Sequence, residues 1–94
     1  MTERAQELTG RVAIVTGSAR NIGRAIALDL AAGGASVLIN ARDSLEAAEA
    51  TARDVEAAGG KAIVHMADVT DSDQVTTMVR VAVGAFGRLD FLVN

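Results

Sequence analysis

The eight residues TGSARNIG (16–23) decide how this chain is to be read. They follow a short apolar run, VAIV (12–15), and lead into an amphipathic stretch that starts near Ile22. A strand that ends in a glycine-bearing turn and enters a helix aims backbone N–H groups at the turn, and the helix dipole adds roughly half a positive charge there. Such a turn is built to hold a phosphate. Two common phosphate loops are absent. There is no G-x-G-x-x-G, and Gly23 is followed by Arg24 and Ala25 rather than by Lys and a hydroxyl residue. Asn21 stands between the two glycines of the turn. Asparagine tolerates left-handed dihedrals better than most residues and is also a good N-cap, so it can start the helix and leave a backbone donor free.

Outward from this turn, apolar runs alternate with helical patterns. VAIVT (12–16) is β-branched and almost wholly apolar, as a strand buried on both faces should be. Residues 22–32 carry Ile22, Ile26 and Leu30 on one helical stripe and stop at Gly33-Gly34. ASVLIN (35–40) reads as a second strand and 43–58 as a second helix, with Asp43 and Glu46 at capping-box spacing and Gly59-Gly60 at its end. KAIVHM (61–66) is a third strand. Residues 72–86 form a third helix capped by Thr70 or Asp71 and ended by Gly87, and LDFLVN (89–94) is a fourth strand. The order βαβαβαβ predicts an α/β fold with a doubly wound parallel sheet in the order 3-2-1-4. The first two helices belong on one face and the third on the other.

Composition narrows the function classes. The chain has 94 residues, half of them apolar, enough for one small domain. Its formal net charge of −3 provides no basic footprint for nucleic acid and no polybasic membrane patch. It has no cysteine, hence no disulfide framework and no thiolate metal site. Residues 1–9, MTERAQELT, lack the apolar core of a signal peptide, and no apolar run approaches the roughly 20 residues that span a bilayer. A soluble, cytoplasmic protein is the expectation. Asp68, Asp71 and Asp73 lack the glycine and distal glutamate of a calcium loop, and the lone histidine, His65, reads as a packed or edge-exposed strand residue.

TGSARNIG fits T-G-x-x-x-G-x-G with one departure, at Asn21. With GRVAIVTGSARNIGRAIALDLAAGGASVLINARD, ADVTD and FGRLDFLVN, it resembles the short-chain dehydrogenase/reductase family over about residues 10–94. Within that family it is most similar to the branch of 3-oxoacyl-carrier-protein reductases and of sugar or alcohol dehydrogenases. The resemblance implies a Rossmann-type sheet that binds a nicotinamide dinucleotide. On this reading residues 1–94 are a single, truncated cofactor-binding domain with residues 1–9 as a preamble.

The resemblance also implies site residues. Gly17, Ser18, Arg20, Asn21, Ile22 and Gly23 meet the cofactor at the turn. Asp68 and Val69 meet the adenine, Asp68 toward its amino group. Asn94 matches the first residue of the family's N-N-A-G motif, and Thr16 braces the turn. Where the family commonly carries a ribose-binding acid, this chain has Ala41, followed by Arg42, a forked cation suited to phosphate. Arg20 resembles the second basic position of NADP-preferring members. NADP is therefore the expected cofactor. NAD is the alternative, with Asp43, twenty residues beyond Gly23, holding the ribose rather than capping the second helix.

Hydride transfer in this family requires a tyrosine acid/base, a lysine four residues beyond it and a serine. This chain contains no tyrosine, so no catalytic residue is assigned. The expectation is the amino-terminal part of an NADP-dependent oxidoreductase, inactive alone. The alternatives are a non-catalytic nucleotide-binding module and an inert truncated remnant. Family members are often homo-oligomers through helices that come later, so no subunit contact is assigned.

Overall fold

A computed structural model describes residues 7–94. In chain order the elements are β1 (Val12–Val15), α1 (Asn21–Ala32), β2 (Ser36–Ala41), α2 (Leu45–Ala57), β3 (Lys61–Met66), α3 (Ser72–Phe86) and β4 (Phe91–Val93). The four strands form one parallel sheet in the order β3-β2-β1-β4, as the alternation of elements requires. The register pairs Ile14 with Leu38 and with Leu92, and Ala41 with Met66.

The central strands are apolar throughout because both of their faces are covered. Side chains alternate across a strand. Val37, Ile39 and Ala41 of β2 therefore join Val15 against Ala27 and Ala31 of α1 and Ala48 and Val55 of α2. Leu38 and Ile14 point the other way, against Met78 and Ala82 of α3. Two helices on one face and one on the other follow directly. Alanines on the helix faces let α1 and α2 lie close to the sheet and to each other, and Arg24 of α1 pairs with Asp54 of α2 at their outer seam.

Boundaries differ from the sequence reading at four places. First, α2 begins at Leu45 and its N-cap is Ser44, whose hydroxyl accepts the Ala47 N–H at 3.1 Å. Strand β2 runs one residue further than expected, to Ala41, and Asp43 lies outside the cap. Second, α1 begins at Asn21, with Arg20 at its N-cap position; Asn21 does not act as the cap. Third, β4 is shorter than 89–94, because Leu89 packs into the second core and Asp90 starts the pairing with β1. Fourth, the end of the supposed preamble belongs to the fold. The Leu8 N–H donates to the Gly33 carbonyl at 2.7 Å, and the Leu8 side chain packs on the first core. Residues 1–6 of that preamble lie outside the described residues.

Strand β4 lies at a sheet edge and depends on one carboxylate. Asp90 Oδ2 accepts the Val12 N–H at 2.9 Å, while Oδ1 receives Arg88 Nη2 at 2.7 Å and Arg11 Nη1 at 3.4 Å. The Arg88 hydrogen bonds, and after them the Val12 amide, hold the Asp90 carboxyl below its usual 3.8. The folded-state pKa is therefore lower than the unfolded one. The stability that Asp90 contributes is fully present above about pH 4 and is lost as pH falls through the depressed folded value. Asp90→Asn should lower the thermal midpoint at pH 7 and flatten the loss of stability below pH 4. Thermal melts of both proteins from pH 7 to pH 2 check this; parallel curves for the two proteins would contradict it.

Candidate functional site: the cleft at the glycine turn

The turn after β1 is held from beneath by a polar cluster at the strand ends. Asn40, the penultimate residue of β2, is 2% exposed. Its Oδ1 accepts the Gly17 N–H at 3.1 Å, and its Nδ2 donates to the carbonyls of His65 and Ala67, each at 3.2 Å. Its main chain pairs with Ser18: the Ser18 N–H donates to the Asn40 carbonyl at 2.8 Å, and the Asn40 N–H to Ser18 Oγ at 2.9 Å. Ser18 Oγ in turn donates to the Val15 carbonyl at 2.7 Å. From α2, the fully buried Thr51 hydroxyl donates to the Ala19 carbonyl at 3.1 Å. The Thr16 hydroxyl lies 3.3 Å from both the Val93 carbonyl and Asn94 Oδ1, which ties the turn to β4.

Two glycines are required for different reasons. Gly17 has φ of +59°, a left-handed conformation that a side chain disfavours. Gly23 is required by space: a Cβ there would lie 2.3 Å from the Gly17 carbonyl oxygen, so α1 can cross the turn only on a bare backbone. Asn21 also adopts a left-handed dihedral, φ +58°, so this half of its sequence reading holds while its capping half does not. The consequence is an uncapped helix. Ser44 caps α2 and Asp71 caps α3, but among the described residues no side chain caps α1, and no acidic residue occupies its first turn.

Above the turn lies a cleft of about 440 Å³. Its walls come from the turn and the start of α1 (Gly17, Arg20, Asn21, Ile22 and Gly23, with Ala19) and from the β2–α2 connection (Ala41, Arg42, Asp43, Ser44). Six expected site residues thus share one cavity. Ile22 is 77% exposed, an apolar side chain offered to solvent at the rim. Ser18 is not among the residues that line the cleft: it is fully buried, and its hydroxyl is engaged with Val15 and Asn40, which positions the turn. Asp68, Val69 and Asn94 stand outside the lining residues, at the neighbouring strand ends.

Asp68 is already engaged. Its Oδ1 accepts the Thr70 hydroxyl at 2.7 Å and the Thr70 N–H at 2.9 Å, and its Oδ2 lies 3.6 Å from Arg42 Nη2. The Thr70 hydroxyl, then the Thr70 amide, hold this carboxyl below the usual carboxylate value, with a lesser push from Arg42. Asp43 lines the cleft and is relieved of capping by Ser44. Among the described residues no group of three or more His, Asp or Glu side chains is placed to hold a metal, and no helix is long and apolar enough to cross a membrane.

Asn40 and Thr51 escaped the sequence reading. The signal for Asn40 was a single amide closing an otherwise apolar strand, and for Thr51 a hydroxyl on the alanine face of a helix; neither has a motif. Asn40→Ala would strand the Gly17 N–H and two carbonyls, a loss of about 2–4 kcal/mol. Asn40→Asp should be no better at neutral pH, since a carboxylate oxygen would then face the carbonyls of His65 and Ala67. Urea denaturation of the three proteins measures this; a loss under about 0.5 kcal/mol for Asn40→Ala would show that the turn is held by other means.

Comparison with known proteins agrees with this geometry. A family model described as short chain dehydrogenase matches residues 11–94. An uncharacterized oxidoreductase of Methylorubrum extorquens is 49% identical over 88 residues, 94% of this chain and 36% of its own length. A 3-oxoacyl-(acyl-carrier-protein) reductase of Synechocystis sp. is 44% identical over 87 residues, 93% of this chain and 35% of the relative. Among solved structures, a dehydrogenase/reductase from Sinorhizobium meliloti 1021 superposes with a TM-score of 0.91 at 41% identity, covering 97% of this chain and 36% of that one. A hydroxysteroid dehydrogenase from Escherichia coli superposes with a TM-score of 0.87 at 30% identity, covering 99% and 39%. The chain therefore spans little more than a third of the length of these proteins. With the family model matched from Arg11 to Asn94 and the sheet order, glycine turn and cleft all in place, this chain belongs to the short-chain dehydrogenase family.

Proposed function

We propose that the chain is the NADP-binding part of an oxidoreductase that transfers hydride between NADP(H) and a carbonyl or alcohol substrate. The observation that carries this reading is the start of α1, which no side chain among the described residues caps, opening onto a cleft that is also lined by Arg20 and Arg42. Free N–H groups and a helix dipole suit a pyrophosphate. Gly17, Asn21, Ile22 and Gly23 would hold it through their main chain. Arg42, with Arg20, would take the 2′-phosphate, and Ala41 presents no carboxylate to repel it. Asp68 and Val69 would border the adenine, and Asn94 the far side near β4. The nicotinamide itself supplies the hydride. This chain's part is to bind and orient, and with no tyrosine it is expected to show no turnover by itself. A cytoplasmic location belongs to the same proposal, supported by the cysteine-free composition.

One observation favours a second reading. Ser44 rather than Asp43 caps α2 and Asp43 lines the cleft, where a carboxylate would suit the ribose hydroxyls of NAD.

Calorimetric titration with both dinucleotides distinguishes the two. On the NADP reading, Arg42→Ala weakens NADP about ten- to a hundredfold, the worth of one charge-assisted hydrogen bond, and leaves NAD nearly unchanged. Ala41→Asp shifts preference toward NAD. Equal weakening of both dinucleotides by Arg42→Ala removes Arg42 as the phosphate ligand. Tighter binding of NAD by the unaltered chain, lost in Asp43→Ala, establishes the second reading instead.

A further inference from the structure

We propose that Asp68 sets cofactor selectivity by competing with the ligand's 2′-phosphate for Arg42. This rests on the reading above that Arg42 meets that phosphate. The sheet register creates the pair. Strands β2 and β3 are matched through Ala41 and Met66, so Arg42 and Asp68 emerge from neighbouring strand ends, with Nη2 and Oδ2 3.6 Å apart. Asp68 is held in place for this. Its Oδ1 is taken by the Thr70 hydroxyl and amide, and its N–H donates to Gln74 Oε1 at 2.8 Å. Gln74 is itself anchored, its Nε2 donating to Asp71 Oδ2 at 3.2 Å. With Oδ1 occupied, Oδ2 is the oxygen left facing Arg42.

Such a carboxylate has two opposed effects. It orients the guanidinium, which favours phosphate binding. It also shares the guanidinium's charge and repels the phosphate, which opposes binding. The distances decide between them. One contact of 3.6 Å is not the two-pronged carboxylate–guanidinium pairing that fixes an arginine, and the Arg42 side chain is still 68% exposed. Orientation therefore gains little. Charge acts at that distance whatever the angle, and a ligand phosphate seated on Arg42 would bring further negative charge toward Asp68. A ligand with a 2′-hydroxyl meets no such opposition. Asp43 lines the same cleft as Arg20 and Arg42, so a second acidic residue stands at this end beside the Asp68–Arg42 pair. The molecule is thereby held to a modest preference for NADP rather than a strong one.

The test is the ratio of NADP to NAD affinity, measured by calorimetry on the full chain. The ratio cancels whatever Asp68 does at the adenine, which both ligands share. Asp68→Asn keeps an oxygen for the Thr70 hydrogen bonds and removes the charge; Asp68→Ser, with a shorter acceptor, serves as a second variant, and circular dichroism verifies the fold of both. Asp68→Asn should raise the NADP:NAD ratio about three- to tenfold, and should leave it unchanged when Arg42 is already alanine. A ratio that stays the same, or falls, in both Asp68 variants while Arg42→Ala still weakens NADP selectively overturns this proposal and leaves the NADP reading standing. A ratio that rises equally with and without Arg42 also overturns it. If Arg42→Ala weakens both ligands equally, or neither dinucleotide binds, the NADP reading fails and this proposal with it.

Discussion

Everything at the functional end of the sheet hangs on the Asn40 side chain. One amide joins three segments that are remote in sequence: the turn after β1 through Gly17, the end of β3 through His65, and the start of the next connection through Ala67. Parallel strands leave their last backbone groups unpaired where the chain departs for a helix. Buried, such groups must find partners or destabilise the fold. An asparagine offers an acceptor on one side and donors on the other, so it can serve a donor in one neighbour and acceptors in the next. No aliphatic residue and no carboxylate can do both. Ser18 completes the arrangement by closing a reciprocal pair with the Asn40 main chain.

Once the turn is held from below, its upper side is free. Support from Asn40, Ser18 and Thr51 comes entirely from the protein interior, and none of it occupies the N-terminus of α1. The other two helices start conventionally, each with a capping side chain. The difference separates a helix end that finishes its own hydrogen bonding from one left ready for an external acceptor. Gly23 belongs to the same design: a side chain there would push α1 off the Gly17 carbonyl and close the approach.

Charge at the cleft is more balanced than a count of arginines suggests. Arg20 and Arg42 face it, but Arg42 is already next to Asp68, and Asp43 shares the lining. The capping role assigned to Asp43 depended on the helix starting at residue 43. The helix starts at Leu45 instead, Ser44 is its cap, and Asp43 lines the cleft. A shift of one or two residues at an element boundary thus changes the electrostatics of a binding site, since it decides which polar side chain is absorbed by the backbone.

The sequence by itself determined the parallel sheet, its strand order and the placement of the helices. Those follow from short-range features: apolar runs such as VAIV and SVLI, the core-facing stripe of Ile26 and Leu30, which the exposed Ile22 does not join, and glycines at the helix ends. Chain connectivity and handedness leave few other ways to assemble such a series. The glycine turn and its attachment to α1 were legible for the same reason, because they lie within eight consecutive residues. Tertiary structure alone decided the rest. Asn40 grips Gly17, Thr51 reaches Ala19, Asp68 stands beside Arg42, and Leu8 docks at Gly33, all between residues at least 22 positions apart. Periodicity carries no information about such meetings. They are created when strand register sets one strand end beside another and buried polar atoms take the partners brought within reach.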